Sequence, residues 1–209
     1  YDTYLSYLSG KRLKLETERV EHFKQMSVYG RERFGTPANV LITNMGDSIN
    51  SAYPDYSAVM SADENTIIFT SRRPGSTGGD LTIEGMFYED IYTSFRKPDG
   101  TWTSAKSISP NINTPEHDAS VGLIADGQTL LMYKDVNGGD IYFSTLQQNN
   151  EWTYPQPFGN EINTEAWETS ATITSDGQVL YFVSNKAGGL GGRDIYTCVK
   201  LPNGKWSKA

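Results

Sequence analysis

Gly138-Gly139-Asp140-Ile141-Tyr142 decides how this chain is read, because its last three residues are written three times. The sister copies are Asp90-Ile91-Tyr92 and Asp194-Ile195-Tyr196, and each copy is followed twelve residues after the Asp by a Trp: Trp102, Trp152 and Trp206. A self-similar unit with a period near fifty residues marks a repeat architecture, in which each unit buries its apolar faces against its neighbours. A second anchor runs in the same register. Ile49-Asn50, Ile112-Asn113 and Ile162-Asn163 are each followed, fourteen residues after the Ile, by Asp63, Asp126 and Asp176.

Between the two anchors lie strand-like runs. Asp126-Gly127 and Asp176-Gly177 sit between alternating apolar segments, and Asp-Gly there signals a hairpin whose turn needs positive φ; the first copy has Asp63-Glu64. The pattern predicts a first strand near 55–61, 118–124 and 168–174, and a second at 66–71, 129–134 and 179–184. A third strand opens with Asp-Ile-Tyr. A turn at Asp99-Gly100, Asn149-Asn150 or Asn203-Gly204 then leads to a fourth strand that begins at the Trp. Four antiparallel strands in a unit of this size make a propeller blade. The expected fold is therefore all-β, a β-propeller with blades at about 49–111, 112–161 and 162–209. Residues 39–45 read as an orphan outer strand within a propeller region of 35–209, with Met45 in the place of Ile108 and Phe158. Three blades fall short of a ring, which predicts a longer protein or closure by another copy.

Residues 1–34 are different. Charged residues alternate with spaced apolar ones, and Gly10 divides them, which predicts two short helices packed on the propeller region. A partly ordered charged tail is the other reading.

Composition narrows the function classes. The chain has 209 residues, a net charge of -7, 20 Gly and 13 Tyr, which suits a soluble domain of short strands and turns. Its acidity disfavours nucleic acid, which demands a basic footprint, and no apolar run is long enough to span a bilayer. The single cysteine, Cys198, takes the place of Ser94 and Ser144, which predicts a small buried thiol.

The candidate chemistry centres on an acid six residues after each anchor Ile: Asp55, Asp118 and Glu168. Opening the innermost strands, these carboxylates would point toward one end of the central channel and offer a cation or ligand site, or acid–base pairs. Alternatively each one holds its own blade by accepting backbone N–H groups or the hydroxyls of Ser57, Ser120 and Ser170. Repetition in every blade suits that structural role. His117 and Trp167, with Arg72, Arg73 and Tyr88 of the long 72–89 loop, complete the candidate binding set. The Asp of Asp-Ile-Tyr is expected to pin the loop before it, the Ile to enter the core between blades, and the Tyr to pack on the Trp. Gly188-Gly189-Leu190-Gly191-Gly192 opens no helix, so it lacks the context of a phosphate-binding loop. No cofactor and no metal are expected, and no catalytic set emerges.

The segments IADGQTLLMY and TSDGQVLYFVSNKAGGLGGRDIY resemble the TolB-type, WD40-like propeller repeat. INSAYPDYSAVMSADENTIIFTSRR resembles the first blade of envelope proteins of the Bacteroidetes group, in which tetratricopeptide helices precede the propeller and an OmpA-like domain follows. The resemblance implies a periplasmic protein held at the outer membrane, related in some members to type 9 secretion. It also implies envelope proteins or peptidoglycan-associated partners. The function expected is non-catalytic binding; the rival is a propeller glycosidase or lyase using Asp55, Asp118 and Glu168.

Overall fold

The computed structural model describes residues 1–36, 39–124 and 127–209. The expected turn residue Asp126 lies outside them. The chain divides into two compact units, Tyr1–Thr43 and Asn44–Ala209.

In the first unit, α1 spans Asp2–Ser6 and α2 spans Gly10–Phe34. The second helix is not short. Gly10 opens α2 rather than breaking it, and the helix of 25 residues holds Lys, Arg and Glu in a run of good helix formers. Arg31 and Arg33 lie in its last turn, where the helix dipole favours cations. Lys24 Nζ donates to Asp2 Oδ1 at 2.6 Å and ties the two helices together. Residues 39–45 form no strand, which corrects the orphan outer strand expected there. Val40, Leu41 and Ile42 are exposed.

The second unit holds three antiparallel sheets. The first is β1 (Asp55–Met60), β2 (Thr66–Ser71), β3 (Asp90–Phe95) and β4 (Lys106–Ser107), in that spatial order. The second repeats it with β5 (Asp118–Leu123), β6 (Thr129–Lys134), β7 (Asp140–Thr145) and β8 (Gln156–Pro157). The third has β9 (Glu168–Ile173), β10 (Val179–Ser184) and β11 (Asp194–Val199). The innermost strand β5 touches both β1 and β9, so the sheets stack as successive blades about their inner edges. This is a propeller with an open ring. The fourth strands are shorter than the repeat predicts. Trp102, Trp152 and Trp206 each make only an isolated bridge, to Arg96, Leu146 and Lys200, before the two-residue β4 and β8.

The middle strand of each of the first two blades is covered on both faces, which explains the nearly continuous apolar runs TIIFTS and TLLMYK. Ile68 and Ile91 of the first sheet meet Ile112, Leu130 and Met132 of the second. Leu131 and Ile141 meet Ile162, Leu180, Phe182 and Cys198 in the next interface. Cys198 is fully buried, and burial pushes its thiol pKa up. Tyr92, Tyr142 and Tyr196 share clusters with Trp102, Trp152 and Trp206, as the repeat predicts.

The anchor Asn residues join blade to blade. Asn113 Oδ1 accepts the Ile91 N–H and its Nδ2 donates to the Ile91 carbonyl, both at 2.9 Å. Asn163 holds Ile141 in the same way, at 3.0 and 2.9 Å. Truncating a buried partner leaves main-chain groups desolvated and unpaired. Asn113→Ala is therefore expected to lower stability by about 2–4 kcal/mol, read as a shift in the midpoint of urea unfolding.

Candidate functional site

The three frame acids lie inside their own blades. Asp55, Asp118 and Glu168 sit opposite Ser71, Lys134 and Ser184, at the end of the middle strand. Each accepts the main-chain N–H and the hydroxyl of the residue four positions earlier. Ser51 donates to Asp55 at 2.6 and 2.9 Å, Thr114 to Asp118 at 2.5 and 2.7 Å, and Thr164 to Glu168 at 3.0 and 2.9 Å. The second donor differs by blade: Arg73 Nη2 for Asp55 (2.8 Å), Lys134 Nζ for Asp118, and Ser184 Oγ for Glu168 (2.6 Å). Asp118 and Glu168 are fully buried. None of the three lines a shared channel mouth. The three acids do not converge on one site. Every carboxylate turns back to its own chain, as the structural reading has it, although the hydroxyls that hold them are those of Ser51, Thr114 and Thr164 and not those of Ser57, Ser120 and Ser170.

Arg73 belongs to this frame rather than to a binding lip. Besides Asp55, it donates to the Ile49 carbonyl at 2.7 Å and stacks over the Phe69 and Tyr92 rings. The Asp of Asp-Ile-Tyr pins its preceding loop. Asp90 accepts Thr77 N and Oγ1 (2.8 and 2.9 Å), Asp140 accepts Asn137 Nδ2 (3.2 Å), and Asp194 accepts the Gly191 N–H (3.0 Å). The glycine loop is thus tethered to Asp194.

The other candidates do converge. A cleft of about 490 Å³ opens along the inner strands of all three blades, lined among others by Tyr56, Glu89, His117, Tyr133, Asp135 and Trp167. At its first-blade side Glu89 is buried and receives three donors: His117 Nδ1 at 2.6 Å, Arg72 Nη2 at 3.0 Å and Tyr56 Oη at 3.1 Å. An ionised carboxylate only accepts, so His117 Nδ1 carries the hydrogen. Tyr88 stands against the His117 ring, centroids 4.6 Å apart. On the third-blade side Arg193 lies over the Trp167 ring at 4.0 Å, and the main-chain N–H of Trp167 donates to Asn185 Oδ1 at 2.8 Å.

The geometry gathers Arg72, Tyr88, His117 and Trp167 and leaves out Asp55, Asp118, Glu168 and Arg73. Residue-level reading missed Glu89, Tyr56, Tyr133 and Asp135. A signal for them exists in the repeat. Beside each frame acid the positions change from blade to blade: Pro54, His117 and Trp167; Tyr56, Ala119 and Thr169; Arg72, Asp135 and Asn185; Glu89, Gly139 and Arg193. Frame positions repeat because every blade needs them. Of the varied positions, Tyr56, Glu89, His117, Ala119, Asp135, Trp167 and Thr169 line the cleft, beside the repeated Ser57, Ser120 and Ser170.

Electrostatics supports a fixed cluster. Burial, the largest effect on Glu89, would raise its carboxyl pKa, but the His117 hydrogen bond and the His117 and Arg72 charges outweigh it and hold it below the ordinary glutamate value. Tyr56 is pushed up to about 12 by burial and by the charge and hydrogen bond of Glu89. The signs give two edges. A depressed acid contributes stability above its unfolded pKa and loses it as pH falls through the folded one; a raised phenol contributes below its unfolded pKa and loses it as pH rises. The cluster is therefore expected to loosen on the acid side of about pH 4.3, and again as pH climbs from about 10 toward the Tyr56 value. Phenolate absorbance, compared between the native chain and Tyr56→Phe, checks the alkaline edge: the difference titration should lie well above that of an ordinary tyrosine.

Among the described residues, no group of three or more His, Cys, Asp or Glu side chains is arranged to hold a metal ion. Among them, too, no helix is long and apolar enough to cross a membrane.

No family model matches this chain, and no curated protein matches it. Among solved structures it is similar to TolB from Acinetobacter baumannii, at 18% identity over 77% of this chain and 33% of that one, with a TM-score of 0.45. It is also similar to the periplasmic gluconolactonase PpgL of Pseudomonas aeruginosa, at 13% identity over 70% of this chain and 39% of that one, TM-score 0.43. Prolyl oligopeptidase B from Galerina marginata is a third, at 10% identity over 73% and 21% of the two chains, TM-score 0.41. The chain spans less than half the length of each of these structures.

Proposed function

We propose that this chain is a non-catalytic propeller module that captures a partner of the bacterial envelope through the cleft at its inner-strand mouth. The observation that carries the reading is the division of labour among polar residues. The repeated acids are held inside their own blades, whereas residues that differ from blade to blade, Tyr56, Glu89, His117, Asp135 and Trp167, line one cleft beside the repeated Ser57, Ser120 and Ser170. A cleft rimmed by Tyr56, Tyr133, His117 and Trp167, with Arg72 and Arg193 beside them, has the aromatic and arginine composition of interaction hot spots. The partner class is a protein or a peptidoglycan-associated component. The periplasmic, outer-membrane setting and a tie to type 9 secretion are supported by the resemblance of INSAYPDYSAVMSADENTIIFTSRR and its sister segments to Bacteroidetes envelope proteins that carry tetratricopeptide and OmpA-like regions.

The test is capture from an envelope extract by immobilised native chain, Trp167→Ala and His117→Ala. Trp167 is 39% exposed, so its removal should leave the fold intact while capture falls at least tenfold. Undiminished capture by both folded variants would overturn the reading.

One observation favours an enzyme instead: the His117–Glu89 pair, a ring nitrogen oriented by a carboxylate at 2.6 Å beside a cleft. On that reading His117→Gln abolishes turnover of a glycan or ester and leaves capture unchanged.

A further inference from the structure

One cationic nitrogen holds the same place in each of the first two blades. Arg73 Nη2 donates to Asp55 Oδ1 and to the Ile49 carbonyl, at 2.8 and 2.7 Å. Lys134 Nζ donates to Asp118 Oδ1 and, at 3.1 Å, to the Ile112 carbonyl. The frame acid and the anchor-Ile carbonyl thus bind a cation together, although it arrives from two different sequence positions. Lys134 ends the middle strand opposite its acid, whereas Arg73 lies two residues past Ser71, the residue opposite Asp55.

The third blade has the acid and the carbonyl but no such side chain between them. Ser184 stands opposite Glu168. Lys186, the counterpart of Arg73, rests its ammonium over the Phe182 and Tyr196 rings, 5.1 and 4.0 Å from their centroids. Among the described residues no cation pairs with Glu168, which is fully buried and held by the neutral donors of Thr164 and Ser184. Among them, too, nothing donates to the Ile162 carbonyl. A buried charge without a partner of opposite sign is costly.

A second carboxylate approaches from the neighbouring blade. Asp140 lines a polar cavity of about 710 Å³ with Asn137, Thr164 and Glu165. It is only 4% exposed, and its Oδ1 has no hydrogen-bond partner among the described residues. The Glu168 N–H donates at 2.9 Å to the carbonyl of Gly139, the residue just before it. Burial and the Glu168 charge push the Asp140 carboxyl pKa up. At the preceding junction Asp90 Oδ1 is likewise without a partner, but there the Lys134 charge works against that of Asp118.

We propose that a calcium ion takes, at the junction of the second and third blades, the place that Lys134 fills one junction earlier, held by Glu168, Asp140 Oδ1 and the Ile162 carbonyl. The Thr164 and Ser184 hydroxyls stand beside Glu168 as further oxygens. An all-oxygen set with two carboxylates suits a hard divalent cation that accepts irregular coordination. Only two of the ligands are acidic side chains; main-chain and hydroxyl oxygens supply the rest. The ion belongs to the frame of the third blade and is independent of the cleft.

Calcium chloride alone is titrated into the full chain after treatment with EDTA, and binding is followed by calorimetry and by thermal unfolding. At about a hundredfold excess over Kd the midpoint should rise by roughly 5–10 °C. Glu168→Gln and Asp140→Asn should each weaken binding at least tenfold. Ser184→Lys, which supplies the ammonium that Lys134 supplies one blade earlier, should remove the calcium response. Lys186→Met should keep it. A native chain whose midpoint ignores calcium overturns the proposal, and so does a shift that survives undiminished in both Glu168→Gln and Asp140→Asn. A calcium shift seen only in Lys186→Met would assign the place to the Lys186 ammonium and also overturn it.

Discussion

Asp118→Ala should be among the most destabilising single changes in the second unit, at about 3–5 kcal/mol, the range for breaking a buried ion pair from one side. Asp118 is fully buried, and the Lys134 ammonium beside it is nearly so. Removing the carboxylate leaves Lys134 with the Ile112 carbonyl at 3.1 Å and strips Thr114 of the acceptor for two donors. An uncompensated buried charge costs more than a lost hydrogen bond. For a chain of this length the thermal midpoint should fall by about 10 °C. Two comparisons give the prediction its edge. Replacing both partners, Asp118→Leu with Lys134→Met, should restore most of the loss, since an apolar pair of similar shape avoids the orphaned charge. Glu168→Gln occupies the same frame position, but its donors are the neutral groups of Thr164 and Ser184. It should cost only about 1–2 kcal/mol. A channel site built from these acids predicts the reverse, because functional acids held together repel one another and their removal stabilises.

Gly139→Ala carries the second large effect. Gly139 has φ +116, where a side chain is strained. An added Cβ would also collide with Trp167 Cδ1 and stand 2.7 Å from the Tyr133 ring. Two rings from neighbouring blades would have to move at once. The expected loss is about 2–4 kcal/mol, combining backbone strain with overpacking, together with displacement of Trp167 and weakened partner capture. The sister positions hold Glu89 and Arg193, so the need for glycine is created by the approach of Trp167, not by the repeat. Trp167→Ala on the Gly139→Ala background should recover part of the stability and none of the capture. Urea unfolding and a capture assay on the four chains separate the two consequences.

Much of the fold is legible in the sequence because propeller repeats are short-range objects. The Asp-Ile-Tyr and Ile-Asn anchors recur in register, and hairpin turns and strand lengths follow from apolar alternation over short stretches of chain. Even the role of the Asp in pinning its loop is readable, since Thr77, Asn137 and Gly191 all precede their Asp in the same loop. The errors fall where local pattern is a poor guide to burial. Val40, Leu41 and Ile42 look like a strand by composition, yet they form no strand and their side chains are exposed. Gly10 looks like a helix break, yet it stands at a helix start, where a glycine costs little.

The candidate site was half legible, for a physical reason. Glu89 and His117 are 28 residues apart, and their contact depends on how the second blade leans on the first. No periodicity within one blade reports that. Symmetry misled as well. Three acids in equivalent places suggest a ring of charge, but equivalence by repeat means that each has an equivalent local partner, and those partners are Ser51, Thr114 and Thr164. The useful signal was the opposite one, the positions that break the repeat.

The division between frame and cleft is tested most sharply by site-specific photocrosslinking in cells, with a photoreactive residue placed at one of two positions of the full chain. Ser170 lines the cleft, and Asp176 is exposed in the β9–β10 turn at the other end of the same strand. A discrete crosslinked partner is expected from position 170, absent from position 176, and lost when Trp167→Ala is added. Crosslinks of equal yield from both positions, or a crosslink at 170 that Trp167→Ala leaves unchanged, would refute a cleft built for capture.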